Sequence, residues 1–189
     1  MAQQCVETAE AHLAELLNLK QHVFTADRGE KQGQVQALIN RIFDVLAAAP
    51  DPGLDTAAAR EERARRAYVR GRALDCHEDY SEASEVELAE AVRLGPSVAS
   101  WNAMGHVQWK KGDHAVAEHC FCAALELGQN STSLRELSKL MRQVPARSSS
   151  EKAALLAGSL ERAKAAVALD QADPESWLGI PPPLLSFTS

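Results

Sequence analysis

Long apolar runs are absent from this sequence, and aromatic residues are scarce, at 5% of its 189 positions. A helix needs about 20 consecutive apolar residues to cross a bilayer, so no membrane-spanning segment is expected. Residues 1–4 show neither the basic nor the apolar region of a secretory signal peptide. We therefore expect the protein in the cytoplasm and the nucleus, without membrane contact.

Cysteine is also sparse, and the four cysteines lack the spacing of a disulfide framework. The run of residues 119–122 begins with histidine and contains Cys120 and Cys122, which resembles a metal-binding pattern. On a helix, however, these two thiols point to different sides and cannot hold one ion. We expect reduced thiols that serve packing, with no metal and no other cofactor.

Catalytic motifs are missing as well. The sequence has no nucleophile elbow, no glycine loop for phosphates and no zinc-protease helix motif. Its histidines are scattered along the predicted helices. We predict that the protein is not an enzyme and has no catalytic residues.

What the sequence does contain is a helical repeat. Trp101, Met104 and Gly105 have the spacing of the first helix of a tetratricopeptide repeat, in which the glycine lets the second helix approach closely. The second helix packs against the first through a small residue, a ring and another small residue. These are Ala117, Phe121 and Ala124. Few rings and many alanines suit such tightly crossed helices better than a sheet.

The residues around the turn agree with this repeat. Gly112 is placed to end the first helix, and Asp113 is placed to cap the second. Gln108 departs from the pattern because a ring is usual there, and Gln129 stands where proline normally closes the unit.

The same spacing recurs on both sides, as a solenoid requires, because one hairpin cannot bury its apolar faces alone. The upstream unit lacks its opening ring, and the downstream unit uses small residues at the crossing. The matching positions are Ala67, Arg70, Gly71, Leu74, Ser84, Leu88 and Ala91 upstream, and Leu134, Leu137, Ser138, Met141, Ser159, Ala163 and Ala166 downstream. A further unit begins at Trp177, and the prolines at 181–183 stop it.

These patterns predict an all-α fold, a tetratricopeptide-type α-solenoid of antiparallel helix hairpins with an N-terminal helical hairpin. Residues 1–52 are expected to form an N-terminal helical arm or cap, and a capping role is preferred to a separate coiled-coil partner site. Residues 53–178 are expected to form the solenoid, with about three repeats and the start of a fourth. Residues 179–189 are expected to be a disordered proline-rich tail.

The first helices of such an array line its concave groove, so residues beside the packing positions are expected to contact a bound peptide. These candidates are Arg65, Arg72, Asn102, His106, Trp109, Lys110, Arg135, Lys139 and Arg142. Most are basic, which favours a ligand with a carboxylate because charge-assisted hydrogen bonds would hold it. Chaperone-binding arrays use a lysine and asparagine carboxylate clamp, which Asn102 and Lys110 alone do not complete.

Charge is unevenly distributed in the opening repeat. Its first helix is rich in arginine, and the helix that folds back on it is rich in acids. We expect these charges to neutralise each other across the hairpin, in preference to forming a nucleic-acid patch. The stretch also lacks interleaved rings on which bases would stack, so direct nucleic-acid binding is not expected.

Two segments carry a more specific resemblance. They are residues 109–113, which read Trp-Lys-Lys-Gly-Asp, and residues 137–143, in which Leu-Ser is followed by Arg-Gln. Together with Trp101-Asn102 and Ala163-Lys164, they resemble the Strap family of tetratricopeptide proteins. The resemblance extends from the region of Gly71 to Trp177 and is weak in the N-terminal arm.

The resemblance implies two binding roles. One is that of a stress-responsive transcription cofactor, which bridges a histone acetyltransferase coactivator complex. The other is that of a cytosolic factor that recognises nascent tubulin at the ribosome and triggers tubulin mRNA decay. In that role the family holds the Met-Arg-Glu start of tubulin in its groove, and the arginine that contacts it matches Arg142. An mRNA-decay adaptor docks on a basic helix, where the matching positions here are Glu90 and Arg93.

The end of the sequence departs from the family pattern. The family continues with further repeats, whose acidic residues meet the arginine of the peptide, and with an OB-like domain. Residues 179–189 do not match that continuation, so the chain is expected to be truncated and to bind the peptide weakly. Two alternatives remain open: a generic chaperone-associated adaptor, and a ribosome- or RNA-associated module that uses the arginine-rich helix.

Overall fold

The computed structural model describes residues 2–22, 28–53, 56–172 and 174–177. Within these ranges lie nine helices and no strand, which confirms the predicted all-α fold. The helices are α1 (Ala2–His22), α2 (Arg28–Ala48), α3 (Ala57–Leu74), α4 (Glu82–Leu94), α5 (Val98–Lys111), α6 (His114–Leu127), α7 (Ser131–Gln143), α8 (Ser149–Leu169) and the short α9 (Pro174–Trp177). The expected tail at 179–189 lies outside the described residues.

The eight long helices pack as consecutive antiparallel pairs, and this arrangement confirms the tetratricopeptide-type solenoid. The closest packing joins α1 to α2, α3 to α4, α5 to α6 and α7 to α8. Contacts of α4 with α5 and of α6 with α7 then stack each hairpin on the next. Both α1 and α2 contact α3, and α9 contacts α7 and α8.

Capping residues explain where the helices begin and end. Six helices start after a side chain that accepts a hydrogen bond from a backbone N–H of the first turn, and these caps are Thr56, Ser81, Ser97, Asp113, Asn130 and Ser148. Gly112 ends α5 with φ 88°, in the left-handed region that favours glycine. The predicted turn between α5 and α6 is therefore confirmed.

The N-terminal hairpin covers the apolar face of α3. Val6, Leu16 and Ile42 are fully buried in one cluster with Val69 and Ala73 of α3. Each such buried aliphatic side chain contributes about 1.5–3 kcal/mol relative to exposure. The apolar stripes of α1 and α2 are therefore buried against α3. A coiled-coil partner would need the same stripes for its own packing.

Small residues set the crossing of each repeat hairpin. A Cβ atom added to Gly71 would lie 2.6 Å from Cγ of Leu88, and one added to Gly105 would lie 2.6 Å from Cε1 of Phe121. In the third hairpin, Oγ of Ser159 lies 2.9 Å from the Ser138 carbonyl oxygen, to which it donates. Larger residues at these positions would force the paired helices apart.

Gln108, the departure from the repeat pattern, takes part in a polar junction between the first two repeats. Its Nε2 donates to Oε1 of Glu85 at 3.0 Å, and Lys111 Nζ lies 2.9 Å from the other carboxylate oxygen. Tyr80 donates its hydroxyl hydrogen to the same carboxylate, and Lys111 lies 5.4 Å from the centre of the Tyr80 ring. The Glu85 carboxylate therefore accepts hydrogen bonds from three side chains. These hydrogen bonds take the place of the packing contact that a ring at position 108 would make.

Charge pairing in the opening repeat is more dispersed than expected. Arg70 pairs with Glu87 of α4 at 2.9 Å, as the hairpin interpretation predicts. Arg65 instead pairs with Glu10 of α1 at 2.7 Å. Other arginines of α3 use acids of their own helix and its C-cap, in the pairs Arg66–Glu62 and Arg72–Asp75. Helix α3 is therefore tied to α1 as well as to α4, and some of its arginines are neutralised within α3 and its C-cap.

Substituting Gly105 tests the helix crossing. We expect Gly105→Ala to lower the free energy of unfolding by about 1–3 kcal/mol, because the added methyl overpacks the core. The Phe121 ring cannot swing away easily, since it is fully buried and meets the His106 and Trp109 rings edge-on. Urea denaturation followed by circular dichroism measures the change.

Gly33→Ala is the matched control, because Gly33 lies in α2 with nothing within 4 Å of an added Cβ. We expect it to stabilise the protein by about 0.5–1 kcal/mol through lower backbone entropy of the unfolded chain. Equal effects of the two substitutions would contradict the proposed close crossing.

Acid titration tests the junction at Glu85. The hydrogen bond from Tyr80, followed by those from Lys111 and Gln108, lowers the pKa of Glu85 to about 2. A depressed folded-state pKa stabilises the fold above the unfolded pKa, and this contribution is lost as the pH falls toward 2. We expect Glu85→Gln to melt below the parent protein at pH 6, with the gap closing between about pH 4.5 and 2. A gap in melting temperature that does not change with pH would contradict this account.

Candidate peptide-binding groove

The first helices of successive hairpins line one open groove with a volume of about 490 Å³. Its walls come from the C-terminal halves of α1, α3 and α5 and from the N-terminal part of α7. Five of the sequence-predicted residues meet there, namely Arg72, His106, Lys110, Arg135 and Lys139. Side chains separated by more than sixty positions thus come together because each hairpin presents the same face.

The groove also contains residues that the sequence analysis did not select. Lys20 and Gln21 enter from α1, while Asp75 and Glu136 supply carboxylates whose side chains are 6% and 5% exposed. The two acids show that the groove wall is not simply basic. Glu136 has a local sequence signal, since it lies next to Arg135 and three positions before Lys139, but Asp75 becomes visible only when α3 and α5 are packed.

Lys110 is held by hydrogen bonds within the scaffold. Its Nζ lies 2.7 Å from the Asp75 carbonyl oxygen, 2.6 Å from Asp75 Oδ1 and 2.7 Å from the His77 carbonyl oxygen. An ammonium group has three hydrogens to donate, so these acceptors use all of them. Lys110 therefore fastens α5 to the C-terminal end of α3, and a ligand would have to displace an existing bond to reach it.

Glu136 organises the opposite wall. Its Oε1 accepts from Arg135 Nε at 2.9 Å and from Lys139 Nζ at 3.0 Å. Burial raises the pKa of Glu136, but the charges of His106 and Lys139 and the hydrogen bonds of its basic neighbours outweigh burial, so that its pKa is lowered. For His106 burial acts in the other direction and lowers the pKa, while the charge of Glu136 raises it in part. The carboxylate therefore stays ionised and holds the two cations in place.

Two predicted groove residues serve packing between repeats. Asn102 is 8% exposed, and its Nδ2 donates to Oδ1 of Asn130 while its own Oδ1 accepts from Ser133. Trp109 meets the Phe121 ring edge-on, and its Nε1 donates to Gln143 Oε1 at 3.1 Å. Neither residue is part of the groove lining described above.

Of the remaining candidates, Arg65 is half-buried and pairs with Glu10 of α1, whereas Arg142 and Arg93 lie on exposed surfaces. Arg142 is exposed in the last turn of α7, and it lies three positions after Lys139 on the stripe that starts at Arg135. Arg93 is exposed on α4 and makes two hydrogen bonds of 2.6 and 2.7 Å to Glu90. The second helices of the hairpins lie behind the groove, so Arg93 belongs to a separate face from Arg142.

The described ranges also bear on metal binding and on membrane insertion. No group of three or more histidine, cysteine or acidic residues there is arranged to hold a metal ion. The four cysteines are free, and burial raises the pKa of Cys120 to about 11. Among the helices described, none is both long and apolar enough to cross a membrane.

Stacked helical hairpins with small residues at each crossing, and a charged groove along their first helices, define a tetratricopeptide-type repeat protein. This class acts as protein-binding scaffolds.

Known proteins support a more particular assignment. The chain is 36% identical over 152 residues to tetratricopeptide repeat protein 5 of Mus musculus, and 34% identical over the same length to the proteins of that name from Homo sapiens and Bos taurus. Tetratricopeptide repeat protein 5 is also called Strap, so the family resemblance of the sequence is confirmed as homology over this region. No family model matches the chain.

The homology is partial. It covers 80% of this chain but 33% of each relative, so the chain spans about a third of the length of the curated relatives it matches. What is shared is the helical, protein-binding scaffold.

Removing the Lys110 ammonium tests its structural role. We expect Lys110→Met to lower the free energy of unfolding by about 2 kcal/mol, because Asp75 and two carbonyl oxygens lose their donor. Lys164→Met is the control, since Lys164 forms an exposed ion pair with Glu161 and should change stability by less than about 0.5 kcal/mol. Chemical denaturation compares the two variants. If Lys110→Met were as stable as the control, Lys110 would be a groove cation available to ligands.

Proposed function

We propose that this chain is a non-enzymatic scaffold whose groove binds an extended peptide through a carboxylate of that peptide. The observation that carries the proposal is the basic stripe of α7. Arg135, Lys139 and Arg142 lie at intervals of four and three residues, which places them on one side of the helix. The first two line the groove, and the third continues the stripe along the same helix.

Glu136 orients two cations of this stripe. Lys139 gives one of its three ammonium hydrogens to Glu136, and its side chain is 34% exposed. Arg135 uses its Nε on the same carboxylate, which holds the planar guanidinium in a fixed orientation. A second carboxylate that approaches from the groove would meet preoriented cations. This arrangement favours a peptide with an acidic side chain or a free C-terminus.

Family resemblance supplies the particular ligand of the proposal. We infer that the groove takes the Met-Arg-Glu start of nascent tubulin at the ribosome, with the glutamate directed to Arg142. The buried carboxylates of Asp75 and Glu136 are already paired with groove cations. The arginine of the peptide would then depend on the acidic residues that the family carries in later repeats, so we expect weak affinity from this chain. The proposed locations are the cytoplasm and the nucleus.

Two other roles are proposed from the family resemblance: that of a transcription cofactor, and the docking of an mRNA-decay adaptor. Bridging of a histone acetyltransferase coactivator complex remains a proposed role for the same scaffold. Docking of the mRNA-decay adaptor would use the face of α4 that contains Arg93. There Glu90 neutralises Arg93 through two hydrogen bonds, and the hydrogen bonds lower the pKa of Glu90. We propose that an adaptor that requires a basic surface would bind this face of α4 weakly.

The alternative functions find less support. A chaperone carboxylate clamp needs available asparagine and lysine donors, whereas Asn102 and Lys110 are engaged within the scaffold. An RNA module would need the arginines of α3, but Arg65, Arg66 and Arg70 each pair with a carboxylate. The groove proposal therefore has the stronger structural basis.

Substituting Arg142 tests the proposed function. We expect Arg142→Ala to weaken binding of a fluorescent peptide that begins Met-Arg-Glu by at least about tenfold, the value of one charge-assisted hydrogen bond. Fluorescence anisotropy at low ionic strength measures the affinity. A peptide that begins Met-Arg-Gln should lose a similar amount with the parent protein, since it lacks the carboxylate.

Arg41→Ala provides the matched control, because Arg41 is exposed on α2 and lies outside the groove. We expect it to leave the affinity unchanged within about twofold. An unchanged affinity of Arg142→Ala would remove Arg142 from the site, and equal binding of the two peptides would refute the carboxylate.

A further inference from the structure

One cation of the groove does not belong to a repeat hairpin. Lys20 lies in the last turn of α1, and it lines the groove together with Arg72 and Asp75 near the end of α3. The apolar face of α1 packs on α3 in the cluster that contains Leu16 and Val69, and this packing brings Lys20 to the groove wall. The N-terminal hairpin therefore covers α3 and also contributes a charged side chain to the candidate peptide site.

The acids of the groove are already paired with other cations. Asp75 lies 2.6 Å from Lys110 Nζ through Oδ1 and 3.4 Å from Arg72 Nη1 through Oδ2. Glu136 pairs in the same way with the two groove cations of α7. By contrast, the Lys20 ammonium group makes neither an ion pair nor a hydrogen bond with any residue in the described ranges. Lys20 is thus the groove cation that the described residues leave without a counterion.

Positive charge exceeds negative charge around the groove. The lining contains five cations and two carboxylates, an excess of three, and these residues are Lys20, Arg72, Lys110, Arg135, Lys139, Asp75 and Glu136. Lys20 remains exposed, but partial burial lowers its pKa, and the nearby charge of Lys110 lowers it further. A carboxylate beside Lys20 would offset this repulsion and accept a charge-assisted hydrogen bond.

We propose that Lys20 is a specificity-determining residue of the groove and binds a second acidic side chain of the same extended peptide. The inference rests on the proposed function, to which it adds a second point of contact. Because α1 packs on α3 whereas α7 packs on α6 and α8, Lys20 and the α7 stripe belong to different walls of the groove. An extended peptide advances about 3.3 Å per residue, so the two acids are separated along the peptide and not adjacent. The preferred ligand is therefore a peptide with two spaced acids.

Peptides that carry one or two acids test this preference. Each fluorescent probe begins Met-Arg-Glu, continues with alanines and ends in an amide, so that no terminal carboxylate contributes. A second glutamate is placed at successive alanine positions, and glutamine at the same position is the control. At the best position we expect the second glutamate to tighten binding at least about fivefold over glutamine in fluorescence anisotropy. Equal affinities of glutamate and glutamine at every position would overturn the inference.

A double-mutant cycle then tests whether Lys20 is the partner of the second acid. We expect Lys20→Gln to reduce the gain from the second glutamate to within about twofold, while replacement of the first glutamate by glutamine costs as much as in the parent protein. Loss of a distant positive charge would instead weaken the contributions of both acids alike. Lys152→Gln, at an exposed lysine of α8 outside the groove lining, is the matched control and should retain the full gain. Circular dichroism checks that both variants keep their helices.

Failure of this inference is distinguishable from failure of the proposed function. If the one-acid probe binds through Arg142 but Lys20→Gln keeps the same gain as Lys152→Gln, the groove proposal stands and the role of Lys20 is refuted. An equal loss for both acids in Lys20→Gln would also refute a direct contact. If no probe binds the parent protein, the proposed function and this inference fail together. Loss of the second gain alone supports both.

Discussion

The close crossing of two helices at a small residue is the constraint on which the rest of this structure depends. Gly71 admits Leu88, Gly105 admits Phe121, and hydrogen-bonded serines do the same in the third hairpin. Crossings of this kind fix how far apart the helices of a pair lie, and the similar spacing of successive pairs lets them stack. Because every pair has the same hand, the first helices fall on one side and form the groove. A bulkier residue at one crossing would disturb the stacking of its neighbours as well as its own hairpin.

Many of the charged side chains in the groove form ion pairs with one another, and these pairs hold the scaffold together. Lys110 ties α5 to the end of α3, and Glu136 positions two cations on α7. Buried charges are costly unless they are paired and hydrogen-bonded, so a groove between stacked helices requires such pairs. In the proposed peptide complex, the carboxylate of the ligand would meet Lys139 and the exposed stripe that continues to Arg142. The other charges of the groove provide rigidity.

Local sequence signals were sufficient for the helices, the turns and the faces of this fold. Gly112 and Asp113 mark a turn by their own conformational preferences, and the spacing of Trp101 and Gly105 marks a face, so neither needs tertiary information. The charge pairs could not be predicted in the same way, since Asp75 meets Lys110 across 35 positions only after two hairpins have stacked. For that reason a groove expected to be basic contains two acids. The positions of most of its cations could be predicted, with Lys20 as the exception, but their availability to a ligand could not.

The two departures from the repeat pattern are accommodated by different polar contacts. Where Gln108 replaces a ring, the surroundings compensate, because Glu85, Tyr80 and Lys111 fill the junction with a hydrogen-bonded network. Where Ala67 replaces a ring, its methyl group is itself buried, and the neighbouring arginines of α3 pair with Glu62 and Glu87. The opening repeat therefore joins its two helices through an ion pair, where the next repeat uses the edge-on contact of Trp101 with His119.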